Sequence, residues 1–152
     1  MPPKTSVGVD TPQMEAFRDL MRAQAELGRR LDHDLQQEAG LSITEYVVLL
    51  TLRYAPEGSL PVGDLSCEVH LSKSGVTRLV DRMEQAGTVE RVADKDDRRC
   101  VRANITEKGR GELRKAWPIH RRGIDAYFGA HLSDAEAATL STLLRKVATT
   151  DA

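Results

Sequence analysis

The sequence predicts a mainly α-helical fold of about six helices that carries one small β-hairpin. Apolar residues recur at spacings of three and four over most of the 152 residues, which is the period of an amphipathic helix. Residues 88–92 and 101–105 are predicted to be two strands, and the second alternates cleanly between apolar and polar residues. Helix-start signals of the Ser-x-x-Glu type begin at Ser42 and Ser133. This length suits one compact domain, expected over residues 11–150 after a flexible tail at 1–10.

The first helix is predicted from Pro12 to about Glu38. Thr11 is a suitable N-cap, proline is favoured at the first helical position, and Gly40 is suited to end the helix. A mostly apolar stripe runs along one face and consists of Phe17, Leu20, Gln24, Leu27, Leu31 and Leu35.

A second helix begins at the capping box Ser42–Glu45 and continues through residues 46–52, which are apolar almost all round. Such a helix must be enclosed by others, so it is the predicted centre of the core. Prolines and a glycine within residues 56–61 predict a turn. A short amphipathic helix follows and carries Val62, Leu65 and Val69.

Ser72 is the predicted N-cap of a fourth helix that stops at Gly87. Its inward face is predicted to consist of Val76, Leu79, Val80 and Met83. The opposite face can donate or accept hydrogen bonds and carries Lys73, Ser74, Thr77, Arg78, Asp81 and Arg82.

The two predicted strands flank a charged loop at residues 94–99, so the hairpin should project from the body. Thr106 is the predicted cap of a long helix that reaches about Ala130, with a kink expected at Pro118. The second capping box starts a last helix with an apolar face made of Leu140, Leu143, Leu144 and Val147.

Charge is distributed unevenly, although the net charge is only −1. Residues 1–71 hold 6 Lys/Arg and 11 Asp/Glu, whereas residues 72–115 hold 12 and 8. The basic excess is therefore confined to one middle segment, which includes the fourth helix and the hairpin, and this is where a polyanionic partner would bind.

Two short helices joined by a tight turn and followed by a charged hairpin are the parts of a winged helix-turn-helix, predicted here at about residues 42–106. The major groove of DNA admits a helix, and hydroxyls, lysine and arginine can bind phosphates and base edges. Arginines at a hairpin tip suit the negative potential of a minor groove. The predicted DNA-binding residues are Ser72, Lys73, Ser74, Thr77, Arg78, Asp97, Arg98 and Arg99, with Asp97 expected to hold the Arg99 guanidinium.

The stretch Leu71–Gly87 resembles the multiple antibiotic resistance regulator (MarR) family, as do Val89–Arg91, Asp96–Arg99 and Ile105–Gly109. The resemblance covers the chain from residue 12 onward. It implies a homodimer whose dimerisation helices lie at about residues 12–38 and 107–150, and a repressor of nearby genes that binds a pseudo-palindromic operator. It also implies release from double-stranded DNA when a small, often aromatic, anion binds between the dimerisation region and the DNA-binding lobe.

Aromatic and cationic residues predict where such an effector would bind. Residues of this type fall where the cleft of the family would lie: His33, Tyr46, Trp117, His120 and Arg121. For any one of them, an ordinary place in the core or on the surface is the competing interpretation.

Other function classes are weighed from residue types. Cys67 and Cys100 are too far apart for a CxxC site and are expected to be thiols. A cysteine-based redox sensor is an alternative function. The peroxide-responsive branch of the family has its sensing cysteine in the first helix, however, and the first helix of this chain has no cysteine. The histidines lack metal-ligand spacing, and no catalytic constellation is evident, so no enzyme, metal or cofactor is expected. A winged-helix module that binds proteins instead of DNA is the remaining alternative.

The expected location follows from hydropathy. No stretch approaches the roughly 20 apolar residues of a membrane span, and residues 1–10 lack the apolar core of a secretory signal. A cytoplasmic protein without a membrane partner is therefore expected.

Overall fold

The computed structural model describes residues 11–97 and 99–148. Across these residues the chain forms six α-helices and a three-stranded antiparallel sheet. In chain order the elements are α1 (Pro12–Ala39), α2 (Ile43–Tyr54), β1 (Ser59–Pro61), α3 (Val62–Glu68), α4 (Lys73–Gln85), β2 (Val89–Ala93), β3 (Val101–Ile105), α5 (Glu107–Tyr127) and α6 (Asp134–Ala148). The predicted tail at residues 1–10 and the wing residue Arg98 lie outside the described residues.

Helix ends are set by local hydrogen bonds of the predicted kinds. The capping box at α2 is complete, since Glu45 N donates to Ser42 Oγ at 3.2 Å and Ser42 N donates to Glu45 Oε2 at 2.8 Å. Thr106 caps α5 by accepting from Gly109 N at 3.0 Å. Gly40 ends α1 with φ +68°, a left-handed conformation that glycine adopts without steric cost.

The sheet contains a strand that the sequence analysis missed. Its order is β1-β3-β2, and Leu60 of β1 lies opposite Ala103 of β3. β1 is three residues long and ends at Pro61, so it shows no alternation, and a proline is tolerated because β1 lies at the edge of the sheet. The predicted hairpin thus supplies the central strand and one edge strand of the sheet, and β1 forms the other edge.

The core is built around α2, as predicted. Tyr46, Val48, Leu49 and Leu52 are fully buried. The predicted inward face of α4 packs against them, with Val76, Leu79, Val80 and Met83 at most 2% exposed. The short helix α3 contributes Leu65, and the sheet contributes Val89, Ala103 and Ile105.

α1 and α5 pack along one another and join the core to the two ends of the chain. They approach closely at Gly123, where an added Cβ would lie 2.6 Å from Leu31 Cδ2. The Tyr127 hydroxyl donates to Asp34 Oδ2 at 2.6 Å across the same contact. α5 continues past Pro118 and ends at Tyr127, three residues before the predicted end, and a 3₁₀ turn follows at Gly129–His131.

Large apolar side chains are exposed on three segments near the two ends of the chain. In the first half of α1 these residues are Met14, Phe17, Leu20 and Met21, and at the end of α5 they are Ile124 and the following Phe128. On α6 they are Leu143, Leu144 and Val147. None of the residues of α6 is buried. Within the described residues, no helix combines the length and the apolar character needed to cross a membrane.

Candidate nucleic-acid interface

The N-terminus of α4 presents hydroxyl groups and helix amides to solvent. Ser72 Oγ accepts from Gly75 N at 3.1 Å and lies 3.2 Å from Ser74 Oγ, and both side chains are exposed. The amino end of a helix carries partial positive charge and unpaired N–H groups. The amides at this end of α4 can therefore donate hydrogen bonds to a phosphate oxygen.

The outward face of α4 is exposed at every predicted contact position. Lys73, Ser74, Thr77 and Arg78 are all exposed. The Thr77 hydroxyl donates to Lys73 O at 2.9 Å, so its proton is used within the helix and its oxygen remains an acceptor. Among the described residues, neither Lys73 nor Arg78 forms an ion pair, which leaves both cations available to an anionic partner.

The wing, residues 94–100, is organised by two aspartates. Asp94 Oδ1 accepts from the backbone amides of Asp96 and Asp97 at 2.8 and 3.1 Å. These hydrogen bonds, followed by that from Arg102, hold the pKa of Asp94 below its usual value. Exposed Arg99 follows in a turn closed by Cys100 N and Asp97 O at 2.8 Å.

The predicted role of Asp97 is corrected by the structure. Asp97 Oδ1 accepts from the backbone N–H of Arg99 at 3.0 Å, rather than from its guanidinium. A short carboxylate side chain two residues before an amide closes this local turn most readily. Asp97 therefore shapes the backbone of the wing and leaves the Arg99 side chain exposed.

Arg102 connects the base of the wing to β1. Its Nε and Nη2 donate to Ser59 Oγ and Ser59 O at 2.9 and 3.0 Å, and its Nη1 donates to Asp94 Oδ2 at 3.1 Å. The edge strand and the wing loop are thus held by one guanidinium. Sequence analysis gave no signal for this link, because Ser59 and Arg102 are 43 residues apart.

Arg91 of β2 is a second arginine that sequence analysis did not single out. Its Nη1 lies 2.7 Å from Asp81 Oδ1 and 2.8 Å from Glu84 Oε2, both on α4. Asp81 therefore joins the helix to the hairpin through this ion pair. Arg82 forms no ion pair among the described residues, so its guanidinium stays on the exposed face of α4.

Two of the five residues predicted for an effector pocket lie in contact. The rings of Tyr46 and His120 have centroids 4.4 Å apart. The Tyr46 hydroxyl is buried without a hydrogen-bond partner in the described structure. Burial raises the pKa of Tyr46 to about 12 and lowers the pKa of His120, so the pair is neutral at physiological pH.

The other three lie elsewhere on the surface. Trp117, 45% exposed, lines an open groove between α2 and α5 together with Leu50, Arg53, Tyr54, Arg110, Leu113 and Arg114. Arg121 is exposed and lies 4.0 Å from Asp125, and His33 is exposed on α1. The groove therefore contains one predicted residue and three arginines that the prediction did not include.

The cysteines and potential metal ligands add no second site in the described part of the chain. Cys67 is exposed, Cys100 is half-buried, and both are free thiols. No group of three His, Cys, Asp or Glu residues is placed to hold a metal ion among residues 11–97 and 99–148.

Comparison with known proteins identifies relatives over most of the chain. Residues 41–101 match the family model described as the MarR family. The transcriptional repressor MprA of Escherichia coli K12 is 32% identical over 108 residues, which are 71% of this chain and 61% of that repressor. The regulator MhqR of Bacillus subtilis, described as helix-turn-helix type, is 31% identical over 134 residues, 88% of this chain and 90% of MhqR.

Solved structures agree with these relatives. Sco3205, a MarR family transcriptional regulator from Streptomyces coelicolor, was crystallised in complex with DNA. Its fold matches with a TM-score of 0.84 and 26% identity over 93% of this chain and 89% of Sco3205.

Proposed function

The chain belongs to the MarR family of transcriptional regulators, and on that premise we propose that it is a sequence-specific repressor that binds a pseudo-palindromic operator as a homodimer. The observations that carry the proposal are the exposed hydroxyls and cations of α4, the exposed Arg99 of the wing, and the ion pairs of Arg91 that join α4 to the strand leading into the wing. A helix in the major groove and a wing in the adjacent minor groove would make complementary contacts with one duplex. The DNA complex of Sco3205 supports this use of the fold.

In this proposal the predicted residues have distinct roles. Ser72, Ser74 and the amino end of α4 bind phosphates, and Arg78 contacts a base edge. Arg99 enters the minor groove, and Arg98, outside the described residues, is proposed to contact the adjacent backbone. Asp97 supports these contacts by holding the turn of the wing.

The homodimer is proposed from the exposed apolar faces. Phe17 of α1 is 63% exposed and Val147 of α6 is 70% exposed, and both belong to longer apolar stripes. Contiguous exposed apolar surface on helices marks an association site. A second copy of this chain would cover these faces and, as a two-fold dimer, would place two α4 helices about one turn of DNA apart. Residues 11–150 would then form one unit, with the lobe at about 42–106 and the dimerisation helices at about 12–38 and 107–150.

DNA binding is tested by fluorescence anisotropy with the duplex that flanks the protein's own gene. Arg99→Ala should weaken binding to all sequences and reduce the slope of log affinity against log salt by about 1, since one phosphate-region cation is lost. Arg78→Ala should cost about 1–3 kcal/mol on the preferred operator and relax the preference at one base pair.

Arg29→Ala is the matched control, because Arg29 is an exposed arginine of α1 that pairs with Glu26 at 2.8 Å. It should leave the operator affinity unchanged. Unchanged affinity in both Arg78→Ala and Arg99→Ala would contradict the assignment.

Ligand control is proposed at the groove between α2 and α5. An aromatic carboxylate could stack on Trp117 and pair with the guanidinium groups of Arg53 and Arg114, which also line the groove. Trp117 is the only tryptophan of the chain, so its fluorescence should change as salicylate is added. Operator release should follow the same titration.

Salicylamide, which lacks the carboxylate charge, is the matched ligand control and should act only at much higher concentration. Arg114→Ala should raise the salicylate concentration needed for both signals. Operator release by salicylate without any change in Trp117 fluorescence would place the effector elsewhere, and the Tyr46–His120 pair would be the next position to test.

A further inference from the structure

We propose that Arg91 is a positioning residue that fixes the recognition helix α4 against the wing, and that it acts on DNA affinity without touching the duplex. The inference rests on the proposed DNA-binding function and adds to it the residue that sets the spacing between the two contacts. Arg91 lies on β2, between these two parts of the interface.

Arg91 contacts three residues that follow one another along one side of α4. Its Nη2 donates to Thr77 O at 3.2 Å, and its Nη1 contacts the carboxylates of Asp81 and Glu84 at 2.7 and 2.8 Å. The Arg91 backbone N–H also donates to Glu84 Oε1 at 3.1 Å. Positions 77, 81 and 84 are separated by four and three residues, so they lie on one side of a helix. The guanidinium thus spans two turns of α4 on the side that faces β2.

This multiple contact resists the movements that a single ion pair allows. An exposed ion pair contributes little to stability and tolerates many geometries. Moving α4 by one residue along its axis requires a shift of about 1.5 Å and a rotation of about 100°, which would break all three contacts at once. The Arg91 side chain is 24% exposed, so most of it is packed between helix and strand.

The contacts of Arg91 lie close in sequence to both predicted DNA contacts. The Thr77 carbonyl belongs to the peptide that joins Thr77 to Arg78, the proposed base contact. On the other side, β2 leads from Arg91 into the wing at Asp94, and Arg99 follows in the same loop. One guanidinium therefore connects the backbone of the major-groove residue with the strand that carries the minor-groove residue. Contacts held in place before binding lose less entropy on binding.

Arg91 also has an electrostatic effect that must be separated from positioning. The carboxylates of Asp81 and Glu84 are 50% and 42% exposed on the helix that would face a polyanion. Hydrogen bonds from Arg91 lower the pKa of Glu84, so this carboxylate stays ionised and paired at physiological pH. Removing Arg91 would leave two unpaired negative charges on α4.

A double-mutant cycle tests positioning. We expect Arg91→Met to reduce operator affinity at least tenfold in the parent protein. In the Arg99→Ala background the loss should be at least threefold smaller, because the minor-groove contact that Arg91 is proposed to position is then absent. Equal losses in the two backgrounds would overturn the proposal, since a residue that only stabilises the fold or touches DNA independently gives additive effects.

A charge-matched variant separates shielding from positioning. In Asp81→Asn/Glu84→Gln/Arg91→Met the unpaired carboxylates are gone along with the arginine. Positioning predicts that this triple variant binds the operator at least fivefold more weakly than the parent. Recovery of the parent affinity would show that Arg91 only neutralises Asp81 and Glu84.

Two further variants control for folding. Arg122→Met removes an arginine that joins α5 to Glu38 of α1, and it should leave operator affinity unchanged. Arg91→Lys keeps the cation, but its three N–H donors lie on one nitrogen atom and cannot span the acceptors that Nη1 and Nη2 of Arg91 reach. This variant should therefore fold and bind the operator with intermediate affinity. Affinity equal to that of Arg91→Met at unchanged thermal stability would support the same conclusion, whereas affinity equal to that of the parent would overturn it. Absence of salt-dependent operator binding by the parent itself would instead refute the proposed function.

Discussion

The winged lobe (residues 42–106) and the terminal helices, α1 with α6, use their amphipathic patterns in opposite ways. In the lobe the apolar faces of α2 and α4 are buried within the chain, and Leu52 and Val80 have no exposed surface. In the terminal helices only Leu35, near the end of α1, is buried, and no residue of α6 is. α4 has the same spacing of apolar residues by three and four as α1 and α6, so for these helices the difference lies in what covers the apolar face.

This comparison shows that helix formation and helix burial are decided separately. Ser42 and Ser133 both cap a helix by accepting from a glutamate amide three residues later. α2, which Ser42 caps, is packed into the core of the chain, whereas α6, which Ser133 caps, exposes its apolar side to solvent. We infer that the lobe is stabilised within one chain and that the terminal helices depend on a second copy.

The largest expected effect is on the core of the lobe. Leu52→Ala should lower the free energy of unfolding by about 3 kcal/mol, because it removes buried contacts and leaves a cavity. Val147→Ala, at a position 70% exposed on α6, should change it by less than about 0.5 kcal/mol at protein concentrations where the dimer has dissociated. Urea denaturation measures both. Equal losses would contradict the proposed difference between the two regions.

An intermediate effect is expected on self-association. Leu143→Asp places a charge on the apolar face of α6 and should raise the dissociation constant of the proposed homodimer at least tenfold, a loss of about 1.4 kcal/mol. Ala138→Asp is the matched control, since five residues along a helix bring it close to the opposite side and its side chain is exposed. Sedimentation equilibrium distinguishes the two variants. A dimer unaffected by Leu143→Asp would remove α6 from the interface.

The smallest expected effect is the pH dependence of the wing. Because the pKa of Asp94 is lowered in the folded chain, its contribution to stability is present above its ordinary value of 3.8 and is lost as the pH falls below it. The difference in unfolding free energy between the parent and Asp94→Asn should therefore shrink as the pH falls from about 5 to about 3. A difference that stays constant over this range would contradict the prediction.

The corresponding group in the terminal helices is Glu136, whose pKa is lowered first by the backbone amide of Ser133 and then by its hydroxyl. Glu136→Gln should show the same direction of pH dependence. Loss of the Glu136 charge should destabilise the start of α6 and leave the wing unchanged. Hydrogen exchange of the backbone amides measures the stability of the two segments separately.

Sequence analysis predicted part of the candidate interface. Ser72 acts as the predicted cap of α4, and the side chains of Lys73, Thr77, Arg78 and Arg99 are exposed. The role predicted for Asp97 was wrong, because its carboxylate accepts from the backbone amide of Arg99 and not from the guanidinium of that residue. The links made by Arg91 and Arg102 were missed, since their partners lie on other elements.

Local sequence patterns were enough to predict where the capped helices begin, the two strands of the hairpin and which side of each helix is apolar. These features depend on hydrogen bonds and contacts between residues three or four apart, or on alternation within one strand, so a local pattern is sufficient. The pairing of Ser59 with Asn104, the contact of Tyr46 with His120 and the contacts of Arg91 along α4 were found only in the folded chain. Such pairs form when the packing of whole elements brings distant residues together, and no spacing along the chain encodes that distance.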